Sequence, residues 1–202
     1  LTFQGGESMQ ARRVILAAGG RSLPKSGSDG AGLAFAERLG HGIVPTTPAL
    51  CPLVLSPNAS DPAAGRLAEL AGVTLTARLE LRDGAGRRLF AWTDSLVFTH
   101  FGLSGPAPMN LSRHLLRARL ERPGEKYIVT LGHPDLPTPE AADRRLREQA
   151  AANPRRAVAT ALAELYPERL ARLLAEGLGA LGRLRREERL ALARRLAALP
   201  LA

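Results

Sequence analysis

Apolar and polar side chains alternate with a period of two along residues 73–82. One face of this segment is wholly apolar and carries Val73, Leu75, Ala77, Leu79 and Leu81. The opposite face holds threonines, arginines and Glu80. Strict alternation of this kind is typical of a half-buried β-strand. Asp83-Gly84 follows as a turn signal, so Leu89–Trp92 is predicted to return as the partner strand, with Trp92 anchoring the sheet.

Other short apolar runs are predicted to extend this sheet. Asp94-Ser95 is predicted to turn the chain into a strand at Leu96–Thr99, and Tyr127–Leu131 supplies another strand. Prolines at positions 45, 48, 52 and 57 predict an extended or edge segment from Thr46 to Asn58. A further strand is predicted at Leu1–Phe3. Several short strands with tight turns indicate a small antiparallel sheet or barrel.

A different pattern occupies Arg12 to Gly40. The apolar run Val14–Ala18 predicts a buried parallel strand, and it ends in Gly19-Gly20, where no Cβ would block a ligand. A glycine-rich loop and a helix ending at Gly40 follow, with Ser28 or Asp29 as the N-cap. A helix N-terminus beside glycines can hold an anionic group. The pattern also fits a core strand with a crossover turn that binds nothing, and both interpretations stay open.

A second glycine-containing turn, Thr99–Ala107, repeats the order of strand, glycines and helix start. Pro106 suits the first turn of a helix that is predicted to continue from Asn110 to Ala118. His100 at the strand end is the candidate catalytic residue, because an imidazole can donate a hydrogen bond to a ligand or shuttle a proton. Alternatively, His100 hydrogen-bonds the backbone and Ser104 caps the helix.

The chain beyond Pro134 is predicted to be helical. Helix starts are indicated at Thr138, at Asn153-Pro154 and at Pro167, where a capping residue or a proline precedes a periodic segment. A fourth helix is predicted over Leu184–Leu199 from its stripe of leucines. A short helix before the sheet is predicted from Asp61-Pro62 to Gly72 by the same capping rule.

Composition narrows the classes of function. The 202 residues carry 28 Lys or Arg against 19 Asp or Glu, a formal net charge of +9 that permits nucleic-acid binding. An aromatic content of 4% offers few surfaces for base stacking, and acidic residues are interleaved with the basic ones, which together argue against nucleic acid as a partner. The lone Cys51 excludes an internal disulfide and a cysteine-cluster metal site, so no metal is expected.

The chain also lacks targeting signals. No apolar run approaches the ~18 residues that a membrane-spanning helix needs, and the N-terminus has no apolar segment typical of a secretory leader. A cytoplasmic location without membrane contact is therefore expected. The sequence has no initial Met and begins in a predicted strand, as expected of a piece of a longer protein.

The two glycine-containing stretches are more specific together than either is alone. The blocks VILAAGGRSLPKSGSDGAGLAFAERLGH, PALCPL and LVFTHFGLSGPAPMNLSRHL follow one another in an order and spacing that resemble FAD-dependent oxidoreductases of the BaiN/YhiN type, the aminoacetone-oxidase-like flavoproteins. The resemblance implies an α+β, multi-domain fold. Its parts are a fragment of a Rossmann-like FAD-binding α/β domain at 1–47, a small antiparallel β-barrel-like insert domain at 48–134, and an all-α helical insert at 135–202.

The resemblance also implies the site residues. At the end of an FAD-domain strand, near the dinucleotide, it places Ala17, Ala18, Gly19 and Gly20. The family usually has Thr where Ala18 stands, so a hydroxyl contact is missing here. On the flavin side it places Arg21, Ser22, Pro24, Gly27, Ser28, Asp29 and Gly30. As substrate-side candidates it gives Thr99, His100, Gly102, Ser104 and Gly105. The two turns are then expected to converge on one pocket.

Two parts of such enzymes are not found in this sequence: a GxGxxG motif after a first strand, and a C-terminal segment that closes the flavin site. The chain is therefore expected to be the central part of a flavoprotein and to bind FAD poorly by itself. In the intact protein the expected cofactor is FAD, the electron donor is NAD(P)H or a small organic molecule, and the partner is a small-molecule substrate. The alternative is a basic binding module, a barrel with a helical domain, that engages nucleic acid or a protein partner.

Overall fold

The computed structural model describes residues 5–55 and 61–201. The chain divides into two compact units, Leu1–Thr46 and Thr47–Ala202. Leu1–Phe3, where a strand is predicted, lies outside the described residues, as does the end of the proline-rich segment at 56–60.

The first unit contains a 3₁₀ turn, Pro24–Ser26, and one helix, α1, Ala31–Arg38. The predicted N-cap is wrong, because Gly30, and neither Ser28 nor Asp29, is the N-cap of α1. Asp29 Oδ1 nevertheless accepts a hydrogen bond from Ala31 N, the first residue of the helix, at 2.9 Å. The predicted stop is confirmed. Gly40 has φ of +89°, its N–H donates to Glu37 O at 2.9 Å, and His41 N donates to Ala36 O at 3.1 Å. Those two bonds form a Schellman motif, which satisfies the last carbonyls of the helix.

The buried strand predicted at Val14–Ala18 is wrong. These residues have no strand assignment, and Val14, Ile15 and Leu16 are all at least half exposed. A parallel strand exists only through hydrogen bonds to a neighbouring strand, and no described residue of the first unit pairs with this run. The apolar pattern alone therefore does not decide the conformation here.

The second unit is built on a six-stranded, wholly antiparallel sheet with the order β1-β4-β3-β2-β5-β6. Its strands are β1, Leu53–Val54; β2, Thr74–Asp83; β3, Arg88–Phe98; β4, Gly102–Ser104; β5, Tyr127–Gly132; and β6, Leu199–Pro200. The short edge strand β1 confirms the extended edge segment predicted from the prolines. The alternation along β2 is also confirmed, since Ala77, Leu79 and Leu81 are buried.

The predicted turn at Asp94-Ser95 is wrong, because β3 runs straight through it. Asp94 pairs with Ala77 and Ser95 with Thr76 across the β2–β3 hairpin. Continuous cross-strand pairing has overridden the local turn signal. Leu96–Phe98 is therefore the end of β3 and not a separate strand. Trp92 is 43% exposed and stacks on Phe90 with ring centroids 6.4 Å apart, so it lies on the surface of the sheet and is not a buried anchor.

Six helices accompany the sheet in the described part of the second unit. They are α2, Pro62–Gly65; α3, Pro106–Glu121; α4, Pro139–Ala152; α5, Val158–Leu162; α6, Glu168–Leu174; and α7, Arg186–Ala198. Helix α3 packs across β2 and β3 and buries Leu111 and Leu115. Helix α4 packs against α7, which leads into β6 beside β5. No helix among the described residues is long and apolar enough to cross a membrane.

The caps of these helices follow the sequence at two of three places. Asp61 Oδ1 accepts from Ala63 N at 2.8 Å, and Thr138 Oγ1 accepts from Ala141 N at 3.2 Å. The start predicted at Asn153-Pro154 is wrong, because α5 begins only at Val158. Asn153 O accepts from Arg156 N instead, which closes a turn there.

Candidate functional site

The glycine-rich loop of the first unit folds against itself. A Cβ on Gly19 would lie 2.7 Å from Ser28 Oγ, and one on Gly30 would lie 2.5 Å from Arg21 Nε. A Cβ on Gly32 would lie 3.0 Å from that of Ala18. An antiparallel bridge between Leu23 and Ser28 holds the loop closed. Three of these glycines therefore make room for the loop's own side chains.

Two other glycines of the loop leave open space. A Cβ on Gly20 or on Gly27 would meet no atom within 4 Å. Arg21, Ser22 and Pro24 are exposed beside them. The loop residues therefore fit a flavin dinucleotide in part: the backbone is accessible at Gly20 and Gly27 and shielded at Gly19 and Gly30. Of the predicted cofactor-side residues, Ala17, Ala18 and Asp29 are also exposed.

In the second unit, Thr99 and Gly102 close a tight turn. Thr99 N donates to Gly102 O at 2.8 Å, and Gly102 N donates to Thr99 Oγ1 at 3.0 Å. His100 and Phe101 occupy the exposed tip, with their rings edge to face and centroids 5.1 Å apart. Within the described residues His100 makes no hydrogen bond to the backbone, so the alternative structural role predicted for it is not found. His100 is accessible to a ligand.

The two glycines of this segment serve strand packing. A Cβ on Gly102 would overlap the carbonyl oxygen of Leu53 on β1. A Cβ on Gly105 would lie 3.2 Å from Leu96 Cα, and its φ of +101° is one that other residues rarely adopt. The expected cap by Ser104 is wrong, because Gly105 is the N-cap of α3 and no side chain caps it.

The structure leaves one part of the site hypothesis as a prediction. The loop at 17–30 belongs to the first unit and the turn at 99–105 to the second. Their convergence on one pocket stays a prediction, and the cofactor and substrate roles of their residues are proposed below.

A cavity of about 250 Å³ in the second unit was not predicted. Strands β1 and β5, helix α3 and Leu201 line it, mostly with leucine and valine side chains. Its polar groups are Cys51, Ser112, Arg119 and Tyr127. Cys51 is half-buried, and its backbone N–H donates to Ser112 Oγ at 3.2 Å. Two effects raise the pKa of the Tyr127 hydroxyl. The larger is desolvation by burial, and the next is the hydrogen bond to Glu125.

A buried carboxylate on β2 is a second unpredicted feature. Glu80 is 2% exposed although the alternation assigns it to the polar face. Its carboxylate lies 3.2 Å from Arg78 and 2.5 Å from Arg82, with Arg88 at 3.8 Å. Arg78 also donates to Pro137 O at 2.8 Å, which ties β2 to the segment before α4. The signal in the sequence was an acidic residue between two arginines at strand spacing.

Two turns of the helical region are bonded to each other. Gly182 N donates to Pro154 O at 2.9 Å, Leu181 N to Arg156 O at 2.8 Å, and Val158 N to Gly179 O at 3.0 Å. A Cβ on Gly182 would lie 2.7 Å from that of Pro154, so the two backbones are in close contact. We call residues 153–158 and 179–186 the turn pair.

Comparison with known proteins gives the family. A family model for the HI0933-like protein barrel and H2TH domain matches residues 47–202. The chain belongs to the HI0933-like family. The match covers the whole of the second unit, whose antiparallel sheet and helices are consistent with a barrel plus a helical domain.

Curated relatives of two kinds are similar to the chain. A ribosomal RNA dihydrouridine synthase of Escherichia coli (strain K12) is 30% identical over 165 residues, which are 82% of this chain and 36% of that protein. A 3-dehydro-bile acid delta(4,6)-reductase of Clostridium scindens is 32% identical over 140 residues, 69% of this chain and 31% of the relative. A second ribosomal RNA dihydrouridine synthase, from Haemophilus influenzae, is 26% identical over 167 residues, 83% of this chain and 36% of the relative. The chain thus spans about a third of the length of the curated relatives it matches.

Proposed function

We propose that this chain is the barrel and helical portion of a flavin-dependent reductase of the BaiN/YhiN type. The observation that carries the proposal is the family match over residues 47–202, together with relatives whose names describe reduction of a carbon–carbon double bond. FAD is the proposed cofactor and would supply the hydride when bound. NAD(P)H is the proposed source of its electrons.

The proposed contribution of the first unit is a wall of the flavin site. The open backbone at Gly20 and Gly27 would lie closest to the cofactor, and Arg21 and Ser22 would supply polar contacts. The proposed contribution of the second unit is the turn tip at His100, whose exposed imidazole can donate a hydrogen bond or a proton to the substrate.

The substrate that we propose is a uridine in structured RNA. Two of the relatives carry that activity in their names, and this chain has a formal net charge of +9, which favours a polyanionic substrate. The low aromatic content, which argues against single-strand binding, does not count against an RNA double helix. The small-molecule substrate expected from the sequence is the second candidate. It is favoured by the apolar cavity beside Arg119, which suits an amphipathic acid.

The test uses the longer protein that contains this chain. We expect it to purify with a flavin spectrum and, when supplied with NAD(P)H and ribosomal RNA, to add two hydrogens to a uridine, detected by nucleoside mass spectrometry. Reduction of a 3-oxo steroid acid without any change in RNA would favour the second candidate. A colourless protein that does not take up added FAD would refute the flavin assignment.

A matched pair of variants tests the loop. Gly20 and Gly42 both have ordinary φ and open space where a Cβ would point. A Cβ at either position therefore meets no atom of the described chain within 4 Å. We expect Gly20→Val to lower flavin occupancy and Gly42→Val to leave it unchanged. Equal occupancy in the two variants would remove Gly20 from the cofactor site.

A further inference from the structure

The turn pair carries a concentration of positive charge. Residues 153–158 and 179–186 contain five arginines, no carboxylate and no aromatic residue. Many arginines elsewhere in the chain are engaged in ion pairs, such as Arg66 with Glu69 and Glu176, or Arg147 with Asp143. This local excess of positive charge distinguishes the turn pair from the arginines that are held in ion pairs.

Two of the five arginines are already neutralised. Arg156 contacts Glu164 Oε1 at 2.5 Å, and Arg185 contacts Glu188 Oε1 at 2.7 Å. The other three, Arg155, Arg183 and Arg186, are exposed and have no ion pair within the described residues. Their charge is therefore available to an external anion.

The fold brings these free arginines from distant parts of the chain to one place. Arg155 directly follows Pro154, and Arg183 directly follows Gly182, at the point where the two backbones touch. Arg186 begins α7 three residues later. The three backbone hydrogen bonds between the turns fix the backbone at these arginines without help from side chains, so only the side chains remain to be ordered when a ligand binds.

From this arrangement we propose that the turn pair binds the phosphate backbone of double-helical RNA. This inference rests on the proposed function and adds the surface that holds the substrate. Exposed arginines on a rigid frame suit phosphate groups, which they contact bidentately. The turn pair has no aromatic side chain on which bases could stack, so a duplex backbone fits better than single strands. The contact is expected to be independent of base sequence.

The experiment compares two double variants of the longer protein that contains this chain. Arg155→Gln/Arg183→Gln removes two free charges from the turn pair. Arg113→Gln/Lys126→Gln removes one exposed charge from α3 and one from the segment before β5, and serves as the charge-matched control. Binding is measured by fluorescence anisotropy with an RNA hairpin that has a long duplex stem, over a series of salt concentrations, and repeated with a DNA duplex of the same sequence.

We expect the turn-pair variant to bind the hairpin several-fold more weakly, and its slope of log affinity against log salt to fall by about 1 for each arginine removed. The control should keep the wild-type slope. An unchanged slope in the turn-pair variant, or an equal loss in both variants, would overturn the proposal. A loss of affinity in the turn-pair variant that is confined to the DNA duplex, with RNA binding unchanged, would also overturn it as a substrate-holding surface.

A different measurement tests the proposed function. NADPH-dependent reduction of the bound flavin reports on the redox site and does not involve RNA. Normal flavin reduction with weakened RNA binding in the turn-pair variant supports the RNA surface. Normal RNA binding and uridine reduction in the same variant refutes the turn pair while leaving the reductase assignment intact.

Discussion

One substitution, Gly102→Ala, tests whether glycine is needed at this position for strand packing or for a ligand. It is a predicted substrate-side residue, yet a Cβ there would overlap the Leu53 carbonyl oxygen and lie 3.0 Å from Val54 Cα. These are backbone atoms, so no change of rotamer relieves the overlap. Because the φ of Gly102 is not positive, the cost of Gly102→Ala comes from the approach of β1 and not from backbone strain.

The cost follows from what holds β1. The strand is two residues long and, within residues 5–55 and 61–201, pairs only with β4, through Leu53 with Leu103 and Val54 with Gly102. One more hydrogen bond runs from Leu55 N to Phe101 O at 3.1 Å. Overpacking costs about 1–3 kcal/mol, and release of the buried Leu53 side chain costs about 1.5–3 kcal/mol. Detachment of β1 from β4 would relieve the overlap at Gly102 but would expose Leu53. We therefore expect a loss of about 2–3 kcal/mol in the free energy of unfolding.

Urea unfolding, followed by the fluorescence of the lone Trp92, measures this loss. Gly84→Ala is the control, because a Cβ there would meet Lys126 O at an ordinary 3.4 Å and φ is not positive. We expect that control to stay within about 0.5 kcal/mol of wild type. Faster hydrogen exchange at the Leu55 amide should accompany the loss in Gly102→Ala. If both variants are equally stable, β1 does not approach Gly102 as described, and the residue is free for a ligand.

Three other predictions use the same unfolding and spectroscopic measurements. Gly182→Ala should destabilise the chain by about 1–3 kcal/mol, because its Cβ would meet Pro154. Gly179→Ala, where a Cβ has open space and φ is ordinary, should be neutral or slightly stabilising. Equal stabilities of the two variants would contradict the contact between the turns. Glu80→Ala should cost about 3 kcal/mol by leaving Arg78 without its carboxylate, and a loss below 0.5 kcal/mol would show that the buried pair contributes nothing. The 202-residue chain alone should show no flavin spectrum after purification, and a yellow preparation would contradict that expectation.

Local sequence rules gave most of the elements whose cause is local. The alternation of β2, the Asp61 and Thr138 caps and the stop at Gly40 depend on neighbours within a few residues, and all are confirmed. The failures have distant causes. The turn predicted at Asp94 does not form, because Asp94 pairs with Ala77 across the hairpin and β3 continues through it. The burial of Glu80 depends on arginine side chains that period-two reasoning places on a solvated face.

The strand predicted at Val14–Ala18 shows the limit of the apolar pattern. The length and side-chain branching of an apolar run show that it is compatible with a strand. A strand also needs a hydrogen-bonding neighbour. The cavity and the turn pair could not be predicted for the same reason. The cavity is lined from both ends of the second unit, by Cys51 and Leu201. The turn pair joins Pro154 to Gly182 across two intervening helices.

The glycines show how the structure narrows the candidate site. In the sequence, a glycine that admits a ligand and a glycine that admits another backbone give the same signal. The structure separates them by what a Cβ would meet. Gly102 would meet β1, Gly105 would meet β3, and within the loop Gly19 and Gly30 would meet Ser28 and Arg21. Only Gly20 and Gly27 among the predicted site glycines leave space that the described chain does not fill. If the loop holds a flavin, the close approach of cofactor to backbone must therefore occur at these two residues, and His100 must act through its exposed ring and not through the glycines beside it.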